Sequence, residues 1–137
     1  MDKNKKERVL VVEESDLVMM LLFEILCPYF EVDWVLDGVE ALNRLERGER
    51  YDLIITNQIM PRMDGLEFIR RVREMLPSIP IAAFTDDGYG QTLIRAGANL
   101  YIQKPFRVLP FIRAIRRLLG YNDTDDELIN RIVYHDR

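Results

Sequence analysis

Asp52-Leu53-Ile54-Ile55-Thr56-Asn57-Gln58-Ile59-Met60-Pro61-Arg62-Met63-Asp64-Gly65 is the stretch whose reading decides the fold. Leu53 to Thr56 is a short apolar run of the kind that forms a strand buried on both faces. After the loop, Leu66, Ile69, Val72 and Met75 recur at helical spacing, and Pro77 lies beyond their end. A buried strand followed by an amphipathic helix is the repeating half of a parallel α/β fold.

The same alternation extends in both directions. Val9-Leu10-Val11-Val12 reads as a buried strand, and Ser15 or Asp16 can cap a helix from Leu17 to about Leu26, with Pro28 following. Val32-Asp33-Trp34-Val35 alternates as a short strand. Gly38 opens a helix with Val39, Ala41, Leu42 and Leu45 on one face, closing near Gly48. Downstream, Ile81 to Phe84 is a fourth strand, Gln91 to Ala96 a weaker helix, and Leu100 to Ile102 a fifth strand. The last helix, Val108 to Leu119, carries Phe111, Ile112, Ile115, Leu118 and Leu119 at a 3.6-residue period. Five strands alternating with five helices predict an α/β, doubly wound parallel sheet of flavodoxin-like type. Its order is 2-1-3-4-5, and sites lie at the carboxyl ends of the strands, at the switch point.

This reading assigns residues 1–120 to one domain and leaves 121–137 as a C-terminal extension. In the extension, Thr124-Asp125-Asp126-Glu127 has capping-box form and Leu128, Ile129, Ile132 and Val133 make an apolar stripe, which predicts a short extra helix. It reads as a helix folded back on the domain, with a dimer or partner contact, or the stub of a linker, as the alternatives.

The bulk properties narrow the class. The chain has 137 residues, 48% apolar and 31% charged, as in an ordinary globular domain. A net charge of -4 gives no electrostatic reason to expect nucleic-acid binding. Cys27 is the only cysteine, so no intramolecular disulfide forms, and its apolar neighbours predict a small buried hydrophobe. The basic start, Met1 to Arg8, leads into an apolar run too short for a signal peptide, and no stretch reaches the length of a membrane span. The expectation is a cytoplasmic protein. Glu13-Glu14-Ser15-Asp16 stands where a nucleotide binder of this topology has its Gly-rich loop, and the one histidine, His135, is near the end. No Ser/His/Asp or Cys/His set falls at the strand ends. These points argue against the competing class, a small α/β enzyme or nucleotide binder, and the chain is read as a non-enzyme.

Several motifs in fixed order resemble those of the response-regulator receiver domain of two-component signalling. Val11-Val12-Glu13-Glu14 ends the first strand with an acidic pair, and Asn57 follows the third strand, with Pro61 and Asp64-Gly65 downstream. Thr85 ends the fourth strand, Ala96-Gly97-Ala98-Asn99-Leu100-Tyr101 leads through the fifth, and Lys104-Pro105-Phe106 follows it. The resemblance covers about residues 8 to 120. It implies a carboxylate at position 57 that attacks phosphorus to form an acyl phosphate. It implies Mg²⁺ held by the acidic pair, by residue 57 and by the carbonyl two residues on, which here are Glu13, Glu14, Asn57 and Ile59. It further implies a Thr85 hydroxyl on a phosphoryl oxygen, a Lys104 ammonium offsetting charge, and a cis Lys-Pro bond. Tyr101 matches the aromatic switch residue. Arg95, Arg113 and Tyr89 fall on the surface of the fourth helix, fifth strand and fifth helix that the family uses for partners.

Three departures point one way. Asn57 removes the nucleophile, because an amide nitrogen lone pair is delocalised and uncharged. Glu14 stands where the family nearly always has Asp, and one methylene displaces a carboxylate by roughly 1.5 Å, a change Mg²⁺ tolerates poorly. Asp86 follows Thr85, where receivers place a small residue, and a carboxylate there repels a phosphate. With fewer carboxylates at the site, Lys104 is expected to pair with Glu13 or Glu14 as a structural salt bridge. The leading expectation is a pseudo-receiver that is not phosphorylated and acts by protein contact. Its partners would be a histidine kinase, an output protein or a second copy, and Mg²⁺ would bind weakly. The alternative is a phosphorylatable regulator in which an aspartate at position 57 has been changed to Asn.

Overall fold

The computed structural model describes residues 6–86 and 88–122. Five strands alternate with five helices: β1 (Glu7–Val12), α1 (Asp16–Leu26), β2 (Phe30–Val35), α2 (Gly38–Glu46), β3 (Leu53–Asn57), α3 (Gly65–Met75), β4 (Ile81–Thr85), α4 (Gly90–Ala96), β5 (Leu100–Gln103) and α5 (Val108–Leu118). All pairings are parallel and the order is β2-β1-β3-β4-β5, as the alternation predicts. The expected helix in 121–137 lies, from Asp123 on, outside the described residues.

Strand periodicity divides the core into two layers. Val9, Val11, Leu53, Ile55, Ala82 and Phe84 face Met19, Leu22 and Leu26 of α1 and Phe111, Ile112 and Ile115 of α5. Their neighbours Leu10, Val12, Ile54, Ile81 and Ala83 face α2, α3 and α4, where Phe68, Ile69, Val72 and Leu93 are fully buried. Successive residues on a strand point to opposite sides, so the central strands must be apolar throughout. β1 lies between β2 and β3, so the chain changes winding direction there and leaves a crevice at the carboxyl ends of β1 and β3.

The cap read before α1 is in place, and α2 and α3 carry caps that were not read from the sequence. Ser15 accepts from the Val18 N–H to cap α1, Asp37 caps α2 through Glu40, and Asp64 caps α3 through Glu67. The buried face of α3 is built by Phe68 with Ile69 and Val72, whereas Met75 is 36% exposed. Near the opposite ends of the strands a polar cluster joins β1, β2 and the start of β3. Arg8 pairs with Asp33 at 2.8 Å, and the Tyr51 hydroxyl donates to Asp33 at 2.9 Å, while burial pushes the Tyr51 phenol up to about 12.

Candidate functional site

The carboxyl ends of three adjacent strands deliver the predicted residues to one place. Glu13 directly follows β1, Asn57 ends β3 and Thr85 ends β4. Glu13, Glu14, Asn57, Ile59, Thr85, Asp86 and Lys104 line one cavity of 240 Å³. Glu13, Asn57 and Thr85 are buried, while Glu14, Asp86 and Lys104 are exposed at its rim. Gly65 at the start of α3 allows the loop to close beneath them: a Cβ there would stand 2.5 Å from the Asn57 carbonyl oxygen. The Gly65 N–H donates to the Gln58 carbonyl at 2.6 Å and fixes that approach. The Lys104–Pro105 bond is cis.

Hydrogen bonds give these groups definite orientations. Asn57 Nδ2 donates to Glu13 Oε1, and the Ser15 N–H donates to Glu13 Oε2 at 2.9 Å. Asn57 Oδ1 is buried and, among the described residues, has no donor. The Thr85 hydroxyl has two acceptors, Gln58 Oε1 at 2.7 Å and the Asp86 carbonyl at 2.9 Å. The β3–α3 loop is tied to the start of α2 by a two-pronged pair, Arg62 Nε to Asp37 at 2.7 Å and Arg62 NH2 at 2.9 Å. Burial pushes the Asp37 carboxyl up. The hydrogen bonds from the Glu40 N–H and Arg62, with the Arg62 charge, outweigh it and hold the group below the ordinary carboxylate range.

The profile of the response regulator receiver domain family matches residues 9–116. The chain belongs to this family. It is 34% identical over 124 residues to the transcription factor SKN7 of Chaetomium thermophilum, covering 87% of this chain and 16% of that protein. It is 33% identical over 116 residues to the response regulator RppA of Synechocystis, covering 81% and 50%. The chain thus spans half or less of these relatives. Among solved structures, the receiver domain of a Pseudomonas aeruginosa sensor histidine kinase, which has a magnesium ion coordinated in its active-site cleft, is 29% identical with a TM-score of 0.76. That match covers 85% of this chain and 99% of the other.

In this receiver domain the arrangement fits a magnesium ion poorly. Both Glu13 carboxylate oxygens accept from N–H donors, and residue 57 turns its amide nitrogen, not an oxygen, toward Glu13. Among the described residues no group of three His, Cys, Asp or Glu side chains is placed to hold a metal. Glu14 and Ile59 lie at the rim with exposed side chains.

Two expectations are corrected. Lys104 forms no ion pair with Glu13 or Glu14: Glu13 is already satisfied by Asn57 and Ser15, and the Lys104 ammonium lies 5.8 Å from the centroid of the Phe84 ring. Cys27 is only partly buried: it is the C-cap of α1, and its Sγ lies 3.9 Å from the Glu24 carbonyl oxygen. Tyr101 on β5 is 37% exposed and its ring lies against Gly90, where a Cβ would come within 2.5 Å of Cε2. Tyr89 and Arg95 are exposed, whereas Arg113 is half-buried on α5. Sequence reasoning missed Gln58, which holds Thr85, and Arg62, which holds Asp37. The only signal for either was its place in the loop after Asn57, since side-chain partners 27 and 25 residues away leave no local pattern.

Proposed function

We propose that this receiver domain works without phosphorylation of residue 57 and signals by contact with another protein. One observation carries the reading: the side chain at the end of β3 is a carboxamide engaged with Glu13. A carboxamide does not attack phosphorus usefully, and converting it to a carboxylate would place two acidic groups in direct contact. Glu14 and Asp86 at the rim add negative charge where a phosphoryl donor would approach. Thr85 is then a positioning group for Gln58, and Lys104 stands at the rim over Phe84. Magnesium binds weakly, for the reason given by the Glu13 hydrogen bonds. Residues 1–120 form the receiver, 121–137 are an appendage, and no chemical reaction is assigned to either. Histidine kinases, output proteins and a second copy are the candidate partners, met through α1 or through the surface that carries Tyr101, Arg95 and Arg113.

Intact-mass spectrometry after incubation with acetyl phosphate and Mg²⁺ tests this, beside an Asn57→Asp variant. Neither protein should gain a phosphoryl group. An adduct on the Asn57→Asp variant would establish the second reading, a phosphorylatable regulator whose aspartate has been replaced. That reading is favoured by one feature: Thr85, Lys104 and the cis Lys104–Pro105 bond all remain around position 57.

A further inference from the structure

A larger cavity, of 580 Å³, opens beside the Asn57 cleft between α1 and the segment that follows β5. Its walls are Val18, Leu21, Ile25, Phe84, Phe106 and Val108. Its polar groups are gathered where it meets the cleft: Glu13, Asn57, Asp86 and Lys104. A concave apolar surface of this size with a few converging polar groups is the usual form of a small-molecule site. Val18, Leu21 and Val108 are 41%, 57% and 40% exposed, so the walls are open to solvent.

The chemistry of the polar end selects the ligand. Two carboxylates and one ammonium leave it net negative. Asn57 is 6% exposed, and its Oδ1 has no donor among the described residues. A buried acceptor without a donor costs free energy that an incoming N–H recovers. Lys104 is the one cationic donor of the four, and it stands over the Phe84 ring at the rim and does not reach the carboxylates. We propose that this groove binds a small amphipathic amine, an ammonium or amidinium group on an apolar aromatic or branched body. The cationic head donates to Asn57 Oδ1 and faces the exposed Asp86 carboxylate at the rim, while the body lies against Leu21, Ile25 and Phe106. The inference rests on the proposal that residue 57 carries no phosphoryl group, and gives the domain an input in place of one. Such a ligand extends the α1 surface and adds to whatever that helix contacts.

The probe is 4-phenylbutylamine, titrated into the full chain in magnesium-free buffer. Its controls are 4-phenylbutyrate, with the same body and opposite charge, and propylamine, with the head alone. Trp34, the only tryptophan, donates its indole N–H to the Glu13 carbonyl at 2.7 Å and reports by fluorescence; backbone amide NMR shifts locate the site. The amine should saturate with Kd on the order of 1 mM, as expected for a ligand of this size, and both controls should bind at least tenfold more weakly. Leu21→Ser, on an exposed position, should weaken the amine about threefold or more. Lys104→Gln and Asn57→Asp should each tighten it, since one removes a positive charge and the other adds a negative one. Equal binding of the acid, no saturation, shifts located elsewhere, or indifference to the charge variants would overturn the proposal. So would capture of a Leu/Lys-rich helical peptide with none of the amine, which would make the groove a polypeptide site. The phosphorylation assay uses a different readout, so failure of amine binding leaves it standing.

Discussion

Helices α1 and α3 have the same length, 11 residues, and pack on opposite faces of one sheet, yet only α3 has a finished outer surface. On α3, Phe68, Ile69 and Val72 are buried while Arg70, Arg71 and Glu74 face solvent. Arg71 even closes a 2.9 Å pair with Glu67 one turn back. On α1 the inward side is equally well buried, by Met19, Leu22 and Leu26, but the outward side is Leu17, Val18, Met20, Leu21 and Phe23, between 41% and 78% exposed. A helix that is apolar all round is normally buried all round. One helix therefore stabilises the fold with its inner face and solubilises it with its outer face. The other carries apolar surface that the fold itself does not need, beside the Asn57 cleft, and it is the face on which a binding function can be built.

This difference can be broken by mutation. Phe68→Ala should be the most damaging change, lowering stability by about 3–5 kcal/mol in urea unfolding, because a fully buried ring leaves a cavity. Asp37→Ala comes next, at about 1–2 kcal/mol, through loss of the α2 cap. Its pH dependence has a definite sign. The folded carboxyl is held below its unfolded value, so its contribution is complete above about pH 4 and is lost as pH falls through the lower folded value. Acid titration of stability should be correspondingly shallower in the variant. A parallel slope would mean that the Glu40 N–H and Arg62 together do not hold the Asp37 carboxylate in solution.

Gly90→Ala should cost roughly 1 kcal/mol and expose the Tyr101 ring, since the new methyl takes the space the ring occupies. Tyrosine NMR shifts that do not move would show that the ring is not seated there. Leu21→Ser on α1 should change stability by only about 0.5 kcal/mol or less. A loss approaching that of Phe68→Ala would mean that α1 is covered in solution and would erase the contrast with α3. The smallest effect is a coupling: Lys104→Gln and Glu13→Gln should be additive to within about 0.5 kcal/mol in a double-mutant cycle, because the two side chains form no ion pair.

The elements were legible because their signals are local. Apolar runs at β1, β3 and β4 must be buried on both faces, Ser15 caps α1, and the alternation of strand and helix with right-handed crossovers leaves a handful of doubly wound topologies, the flavodoxin-like order among them. Glu13, Asn57, Thr85 and Lys104 were singled out as a set by their resemblance to receiver motifs, and each stands at or just after a strand end, where the topology gathers them. The salt bridge expected for Lys104 failed for a reason outside any local pattern. Charge counting treats Glu13 as an open partner, whereas the Asn57 amide and the Ser15 N–H already occupy both of its oxygens.

By itself, then, the sequence determined the fold, the order of the strands, and the chemical fact that position 57 holds an amide. These follow from periodicity, capping and side-chain chemistry, which act over a few residues. Only the tertiary structure decided which way the amide points, that Gln58 holds Thr85, that Arg62 holds Asp37, and that the outward face of α1 borders an apolar groove at the cleft. Each of these joins groups 25 or more residues apart, or depends on how a helix is rolled against the sheet. Packing of the whole chain sets such distances, and no local pattern encodes them.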